Sequence, residues 1–235
     1  MRFLQADYLF PIYMPPIKNG ILQINFDGKV VDIHKENSLS GVTIEKFSGV
    51  LCPGFINSHC HLELSHLLNC ISPNSGLVKF IKEISNRPKV SKSIIKNKII
   101  AAENQMIANG IVGVGDICNT DDTLFLKREN NISYYNFIET FQIDEQKFEN
   151  TINNSIEIRN RFSSYGLKAT IVPHSPYSVP PDLMKMIYEQ IDDKSDVISI
   201  HNQESKEENM LFHSKDGELI RLSLIHISEP TRLGF

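Results

Sequence analysis

From residue 50 onward the apolar positions switch between two periods. Leu51 to Ser58 is a short, nearly continuous apolar run and reads as a buried strand. Leu77 to Ile84 follows as a short amphipathic helix that Pro88 bars from continuing. Ser91 to Asn109 keeps a helical period through Ile94, Ile95, Ile99, Ala102 and Met106, and Gly110 supplies a stop. The pattern then returns to strand at Ile111 to Asp116 and to a short helix at Thr120 to Glu129. Ile132 to Phe141, rich in β-branched and aromatic residues, is a further strand, and Glu145 to Tyr165 a long helix ended by Gly166. Leu167 to Pro173 is a fourth strand, and Pro180-Pro181 opens a helix to about Gln190, where proline suits the first turn. Val197 to His201 is a fifth strand, and Ser205 to Leu222 a helix with acidic residues in its first turn.

Ahead of this series the period is shorter. Gly20 to Phe26 alternates, Asp27-Gly28 is a hairpin turn signal, and Lys29 to Ile33 resumes the alternation. Residues 1–49 are therefore expected to form a small β module, part of a β-sandwich. Regular alternation of strand and helix predicts a parallel sheet with helical crossovers. A doubly wound sheet is the competing arrangement, but no Gly-x-Gly-x-x-Gly follows a strand. Polar residues instead recur at the ends of several different strands, which suits a barrel. The predicted fold is α/β: the first five βα units of a (β/α)8 TIM-type barrel over residues 50–222, preceded by the β module.

Composition narrows the partners. The 235 residues are 41% hydrophobic, enough for one sizeable core, and carry a net charge of −4 with a pI of 6.1. No basic patch of the nucleic-acid-binding kind is present. No apolar run reaches the ~18 residues of a membrane span, and Met1 to Phe10 lacks the pattern of a signal peptide. Cys52, Cys60, Cys70 and Cys118 show no Cys-x-x-Cys spacing and are expected to be reduced thiols in a cytoplasmic protein.

The candidate chemistry sits at strand ends. His59 and His61, at i and i+2 on a strand, point to one face and can reach one metal ion; Cys60 between them points the other way and reads as packing. Spacing alone leaves a chance polar pair open. His201 ends the fifth strand with Glu204 three residues on, and His174 ends the fourth; a lone histidine in either place could equally be a satisfied structural one. Glu63 shares the face of His61 if the strand continues, or is a loop acid. Asp116, closing the second strand, is either structural or a partner to a metal-bound histidine, and His66 a partner of that kind or a surface group.

The stretch Pro53-Gly54-Phe55-Ile56-Asn57-Ser58-His59-Cys60-His61 resembles the first-strand signature of the amidohydrolase superfamily, in its aminohydrolase branch of deaminases and chlorohydrolases. The segments His201-Asn202-Gln203-Glu204 and His174-Ser175-Pro176-Tyr177-Ser178 are similar to later motifs of that branch. The resemblance implies that His59, His61 and His201 bind one divalent metal ion, zinc or alternatively iron, and that Glu204 shuttles protons. It further implies that His174 and Glu63 contact a small-molecule substrate. A histidine rather than a lysine at position 174 favours a single-metal deaminase over a two-metal amidase.

The activity so implied is hydrolytic deamination of an amino-purine-type nucleoside or related heterocycle, an aminodeoxyfutalosine-like substrate among them. An amidase, imidase or chlorohydrolase of the same superfamily, or a non-catalytic metal-binding remnant, are the competing readings. No nucleic-acid or membrane partner is expected, and a homo-oligomer is allowed. The family pattern also calls for a histidine on a sixth strand and an aspartate after an eighth. Ser223 to Phe235 resembles a translated sequencing adapter, which would make the chain a truncated, inactive piece. Leu224-Ile225-His226-Ile227 read as a genuine sixth strand is the alternative, and Glu229 is the one acid there.

Overall fold

The computed structural model describes residues 1–192 and 194–221. The stretch from Ser223, with His226 and Glu229, lies outside the described residues. The chain forms two compact units that meet in sequence between Phe55 and Ile56.

The first unit is all β: β1 (Arg2–Gln5), β2 (Tyr8–Leu9), β3 (Ile17–Lys18), β4 (Ile21–Ile24), β5 (Val30–His34), β6 (Ile44–Lys46) and β7 (Val50–Leu51). They make one sheet of order β5-β4-β1-β6 and another of order β3-β2-β7. The expected hairpin joins β4 to β5. Gly28 takes a left-handed φ of 79° in its turn, and the Asn25 side chain accepts the amides of Asp27 and Lys29.

The second unit opens with β8 (Phe55–Cys60) and a 3-10 turn at Leu62–Leu67. It continues through α1 (Leu77–Ser85), α2 (Lys92–Ala108), β9 (Ile111–Cys118), α3 (Leu124–Lys127), β10 (Ser133–Thr140), α4 (Phe148–Ser164), β11 (Lys168–Pro173), α5 (Pro181–Tyr188) and α6 (Lys206–Ser214). The sheet runs β11-β10-β9-β8, with β9, β10 and β11 parallel. β9 and β10 are buried along most of their length, as parallel strands covered on both faces must be. On one face Ile138 and Ile171 meet Phe148, Ile152 and Phe162 of α4 and Leu183 and Ile187 of α5. Those α4 positions recur at helical spacing, so one stripe of the helix is buried. Val114 and Tyr134 pack with Ile99 and Met106 of α2. On the other face lies a smaller cluster of Ile117, Phe137 and Val172.

Four expectations are corrected. Leu51 to Ser58 is not one buried strand: Cys52-Pro53-Gly54 interrupts it, and Phe55 and Ile56 are 60% and 68% exposed. Among the described residues β8 has β9 as its one neighbour in the sheet, so this strand stands at the sheet's edge. The helix at Thr120 to Glu129 shrinks to α3, because Thr120, Asp121 and Asp122 are drawn into turns. Val197 to His201 forms no ladder among the described residues. Its recorded backbone bond is from His201 N–H to the His174 carbonyl, and the Val197 amide goes instead to the Tyr135 hydroxyl. The last helix stops at Ser214, since Lys215 and Gly217 take φ of 52° and 98°; helical backbone resumes only at residues 218–221. Among the described residues no helix is long and apolar enough to cross a membrane.

Gly115 sets how closely β9 approaches β8. A Cβ there would stand 2.5 Å from the Ser58 carbonyl oxygen, one residue before His59. The Gly115→Ala variant is expected to lose about 1–3 kcal/mol of stability, because backbone has to move. A urea midpoint equal to the parent's would refute this packing constraint.

Candidate metal centre

β8 delivers His59 and Cys60 to opposite sides. Cys60 packs toward Ile99 and Val114, and burial pushes its thiol up to about 12, so it is an inert apolar neighbour. His61 caps the 3-10 turn, and the chain immediately after it is pinned: the Leu62 amide donates to Asp116 Oδ1 at 2.8 Å. Asp116 is fully buried and pairs through Oδ2 with the equally buried Lys127 ammonium. Lys127 donates also to Asn136 Oδ1 at 2.6 Å, and the Asn136 amide donates to the Lys168 carbonyl. Burial by itself would lower the lysine, but its charged partners hold it above the ordinary value. Asp116 therefore answers to structure, as the anchor of the loop that carries His61.

The two strand-one histidines meet His201. Donor nitrogens of His59, His61 and His201 lie within 4.8 Å of one another, and His61 Nε2 stands 3.2 Å from His201 Nε2. Zinc–nitrogen bonds of about 2.0–2.1 Å in a tetrahedron set neighbouring nitrogens about 3.3 Å apart, so this spacing fits one ion. Burial pushes His59 below its ordinary value and His61 down to about 4, so the His61 ring is neutral at neutral pH. His61 Nδ1 is buried without a hydrogen-bond partner among the described residues. Three converging imidazoles suit zinc or ferrous iron.

His201 is held by its neighbours rather than by a strand. Its amide donates to the His174 carbonyl at 2.8 Å, and its Nδ1 lies 3.2 Å from the same oxygen. His174 Nδ1 lies 2.6 Å from the Ser178 hydroxyl, and its ring centre is 5.0 Å from that of His201. Burial lowers the His174 pKa. Glu204 is exposed at the rim. Its amide donates to Glu208 Oε2, and Glu208 in turn donates its amide to Ser205 Oγ, so the start of α6 fixes the backbone at Glu204. The Glu204 charge is near enough to favour protonation of His59, His174 and His201.

Glu63 is placed differently from the expectation. The strand ends at Cys60, so Glu63 does not continue the His61 face; it lies buried in the 3-10 turn. Its oxygens accept the amides of Asn119 and Thr120 and the Thr120 hydroxyl, leaving it tied to the loop after β9 rather than open to a ligand. Burial outweighs these bonds and raises it to about 7. His66 is bound to the Glu63 carbonyl, outside the cluster.

Glu139 is the residue that the sequence reading missed. It is 8% exposed, with Oε1 3.3 Å from His201 Nδ1 and 4.0 Å from His174 Nε2. Asn119 Nδ2 donates to Oε2 at 2.9 Å. Burial alone would raise this carboxylate, but His201, His174 and Asn119 hold it below the usual range. A signal was available. Asn119, Glu139 and His174 each stand two residues beyond Ile117, Phe137 and Val172, which share one face of the sheet.

Histidines and carboxylates thus gather at the carboxyl ends of parallel strands, the arrangement of an α/β protein with its site on the sheet's C-terminal rim. Residues 50–227 match the Amidohydrolase family, and the chain belongs to it. An adenosine deaminase of Helicobacter pylori is 27% identical over 194 residues, 78% of this chain and 46% of that protein. Among solved structures, the Helicobacter pylori aminofutalosine deaminase in complex with methylthio-coformycin superposes with a TM-score of 0.81 at 21% identity. It covers 99% of this chain and 58% of that one. A zinc-bound adenosine deaminase from Xanthomonas campestris gives 0.67 at 13% identity, over 96% and 55%. The chain spans about half the length of the curated relatives it matches.

Replacing Lys127 by Met is expected to destabilise the chain by about 3–5 kcal/mol, since Asp116 would remain buried and unpaired. The double change with Asp116→Asn should recover part of the loss. Chemical denaturation of the three variants measures both; a single variant as stable as the parent would show that the pair anchors nothing.

Proposed function

We propose that the second unit is the N-terminal part of a (β/α)8 barrel whose site performs hydrolytic deamination of an amino-purine-type nucleoside or related heterocycle. The observation that carries this is the convergence of His59, His61 and His201 on one point, with Glu204 three residues beyond His201. The likeness to deaminases supports the same direction.

His59, His61 and His201 would hold one divalent ion, zinc or alternatively iron by the nature of the donors, with zinc favoured by the zinc-bound adenosine deaminase that the chain resembles. Bound there, such an ion supplies Lewis acidity and lowers the pKa of a coordinated water to about 7. The remaining work belongs to side chains. Glu204, exposed at the rim, takes the role of proton carrier: it takes a proton from the attacking water and passes it to a ring nitrogen, then passes the water's second proton to the departing amine, while the water's oxygen bonds the carbon. The C–N bond of the exocyclic amine is replaced by C–O, and ammonia leaves. His174, fixed through Nδ1 by Ser178, keeps Nε2 turned toward the cluster and is suited to orient the substrate. Glu63, expected from the resemblance to touch substrate, is assigned instead to holding the Asn119–Thr120 loop.

The purified chain is expected to take up one equivalent of zinc, measured by elemental analysis after dialysis, with His59→Ala and His201→Ala losing it. Glu204→Gln should retain the metal. On the full product of the reading frame the same change should lower ammonia release from 6-aminopurine nucleosides by about 10²–10⁴-fold. Turnover that survives in Glu204→Gln removes Glu204 from the mechanism, and ring-opened products would point to an amidase instead.

A further inference from the structure

We propose that Glu139 is a positioning residue for His201: held from one side by Asn119, its carboxylate receives the Nδ1–H of His201 and so turns Nε2 toward His59 and His61. The inference rests on the metal-binding reading above and adds the end of β10 to it.

The neighbours of His201 set its tautomer. His201 Nδ1 faces two oxygens, the His174 carbonyl at 3.2 Å and Glu139 Oε1 at 3.3 Å. A carbonyl and a carboxylate can only accept, so the proton must sit on Nδ1. The free lone pair is then on Nε2, the atom that lies 3.2 Å from His61 Nε2. A metal-ligating histidine usually gives its other N–H to such an acceptor, which fixes ring orientation and raises ligand basicity.

The carboxylate is itself placed. Asn119 Nδ2 donates to Oε2, and the Asn119 amide is held by Glu63. Oε1 is buried with no fully formed hydrogen bond, although His201 Nδ1 stands within reach. A small rotation of the ring would complete the contact, as catalytic hydrogen bonds often tighten only in the loaded site. Glu139 sees donors on both sides, from Asn119 and from His201. Glutamine cannot satisfy both, because one of its ends is an NH2 and Asn119 is kept from turning its amide over by a second bond, from Nδ2 to the Glu139 carbonyl at 3.3 Å.

Glu139, His174 and His201 also have donor atoms within 4.8 Å of one another and could be read as a second metal site. Through Nδ1, the His201 atom that faces Glu139 at 3.3 Å, such a site needs a lone pair that the His174 carbonyl forbids, and Nε2 is already turned to His61. One ion, with Glu139 outside its coordination, is the consistent arrangement.

The test uses the chain itself, titrated with zinc against a chromophoric chelator, with the His201 tautomer read from nitrogen-15 shifts in the metal-free protein. The parent should bind one equivalent and show the Nδ1–H tautomer. Glu139→Gln should weaken zinc binding about 10–100-fold. Adding Asn119→Asp, which offers the glutamine NH2 an acceptor, should return much of the affinity, a rescue that a general stability defect would not show. Unchanged affinity in Glu139→Gln, while His59→Ala loses the metal, overturns the proposal and leaves the metal centre standing. Uptake of a second equivalent that Glu139→Gln abolishes also overturns it. If His59→Ala binds zinc as the parent does, the metal reading itself fails. The His201 Nδ1 nitrogen-15 shift then decides: a shift that moves in Glu139→Gln retains the Glu139–His201 contact, and one that stays put, or an Nε2–H tautomer, removes it.

Discussion

A charged lysine sealed inside a protein constrains everything around it. Lys127 is fully buried, and an ammonium there is tolerable only with its hydrogen bonds met. Asp116 and Asn136 meet them from β9 and β10, and the rings of Tyr134 and Phe162 each lie 5.0 Å from Nζ. Because Asp116 spends its other oxygen on the Leu62 amide, the same pair fixes where the chain goes after His61. A hydrophobic substitute could fill the volume, yet it would not hold a loop at a defined register. The polar network is thus a positioning device whose stabilising worth is secondary.

Strand alternation then sorts the work between two faces. On β9, β10 and β11 one set of residues meets the helices, and the other set forms the small cluster of Ile117, Phe137 and Val172. One step further along that second face stand Asn119, Glu139 and His174, so the polar site is built directly on an apolar floor. A low-dielectric floor strengthens each hydrogen bond above it and makes each unpaired group expensive. It accounts for the lowered pKa of His59, His61 and His174, and for the dense pairing of Glu63.

Much of this was legible in the residues alone. The i, i+2 spacing of His59 and His61 and the Glu three residues after His201 are local patterns, and the helical period of Ile95, Ile99, Ala102 and Met106 is equally local. Glu139 was not seen because it is one of three polar residues, with Asn136 and Thr140, in the largely aromatic stretch Tyr134 to Phe141, and a lone acid there reads as tolerance rather than purpose. The signal lay in comparison between strands: the same offset from an apolar residue, repeated three times. Lys127 was invisible for a related reason, since a lysine at the end of Leu124-Phe125-Leu126 looks like a solvated helix end. Only the three-dimensional meeting with Asp116 reveals its burial. Glu63 failed differently. Its assumed face depended on the strand continuing past His61, whereas the Leu62–Asp116 bond bends the chain into a 3-10 turn. The missing fifth strand shows the same dependence on partners: Val197 to Ile200 has a strand-like composition, but its first amide is captured by the Tyr135 hydroxyl.

These threads converge on His201. It is the one site histidine not delivered by a paired strand, and a residue placed on irregular backbone has no ladder to fix its ring. The structure compensates with three contacts: its amide and its Nδ1 on the His174 carbonyl, and Glu139 alongside. His174 is fixed by Ser178, and Glu139 by Asn119, which is held by Glu63. Orientation at His201 is therefore inherited, through hydrogen bonds, from two regular strand ends and from the turn after β8. Two imidazole nitrogens at 3.2 Å would repel if both presented lone pairs to empty space. A shared proton or a shared cation resolves that, and the donor nitrogen of His59, within 4.8 Å of both, gives the cation a third ligand that a proton would leave unused.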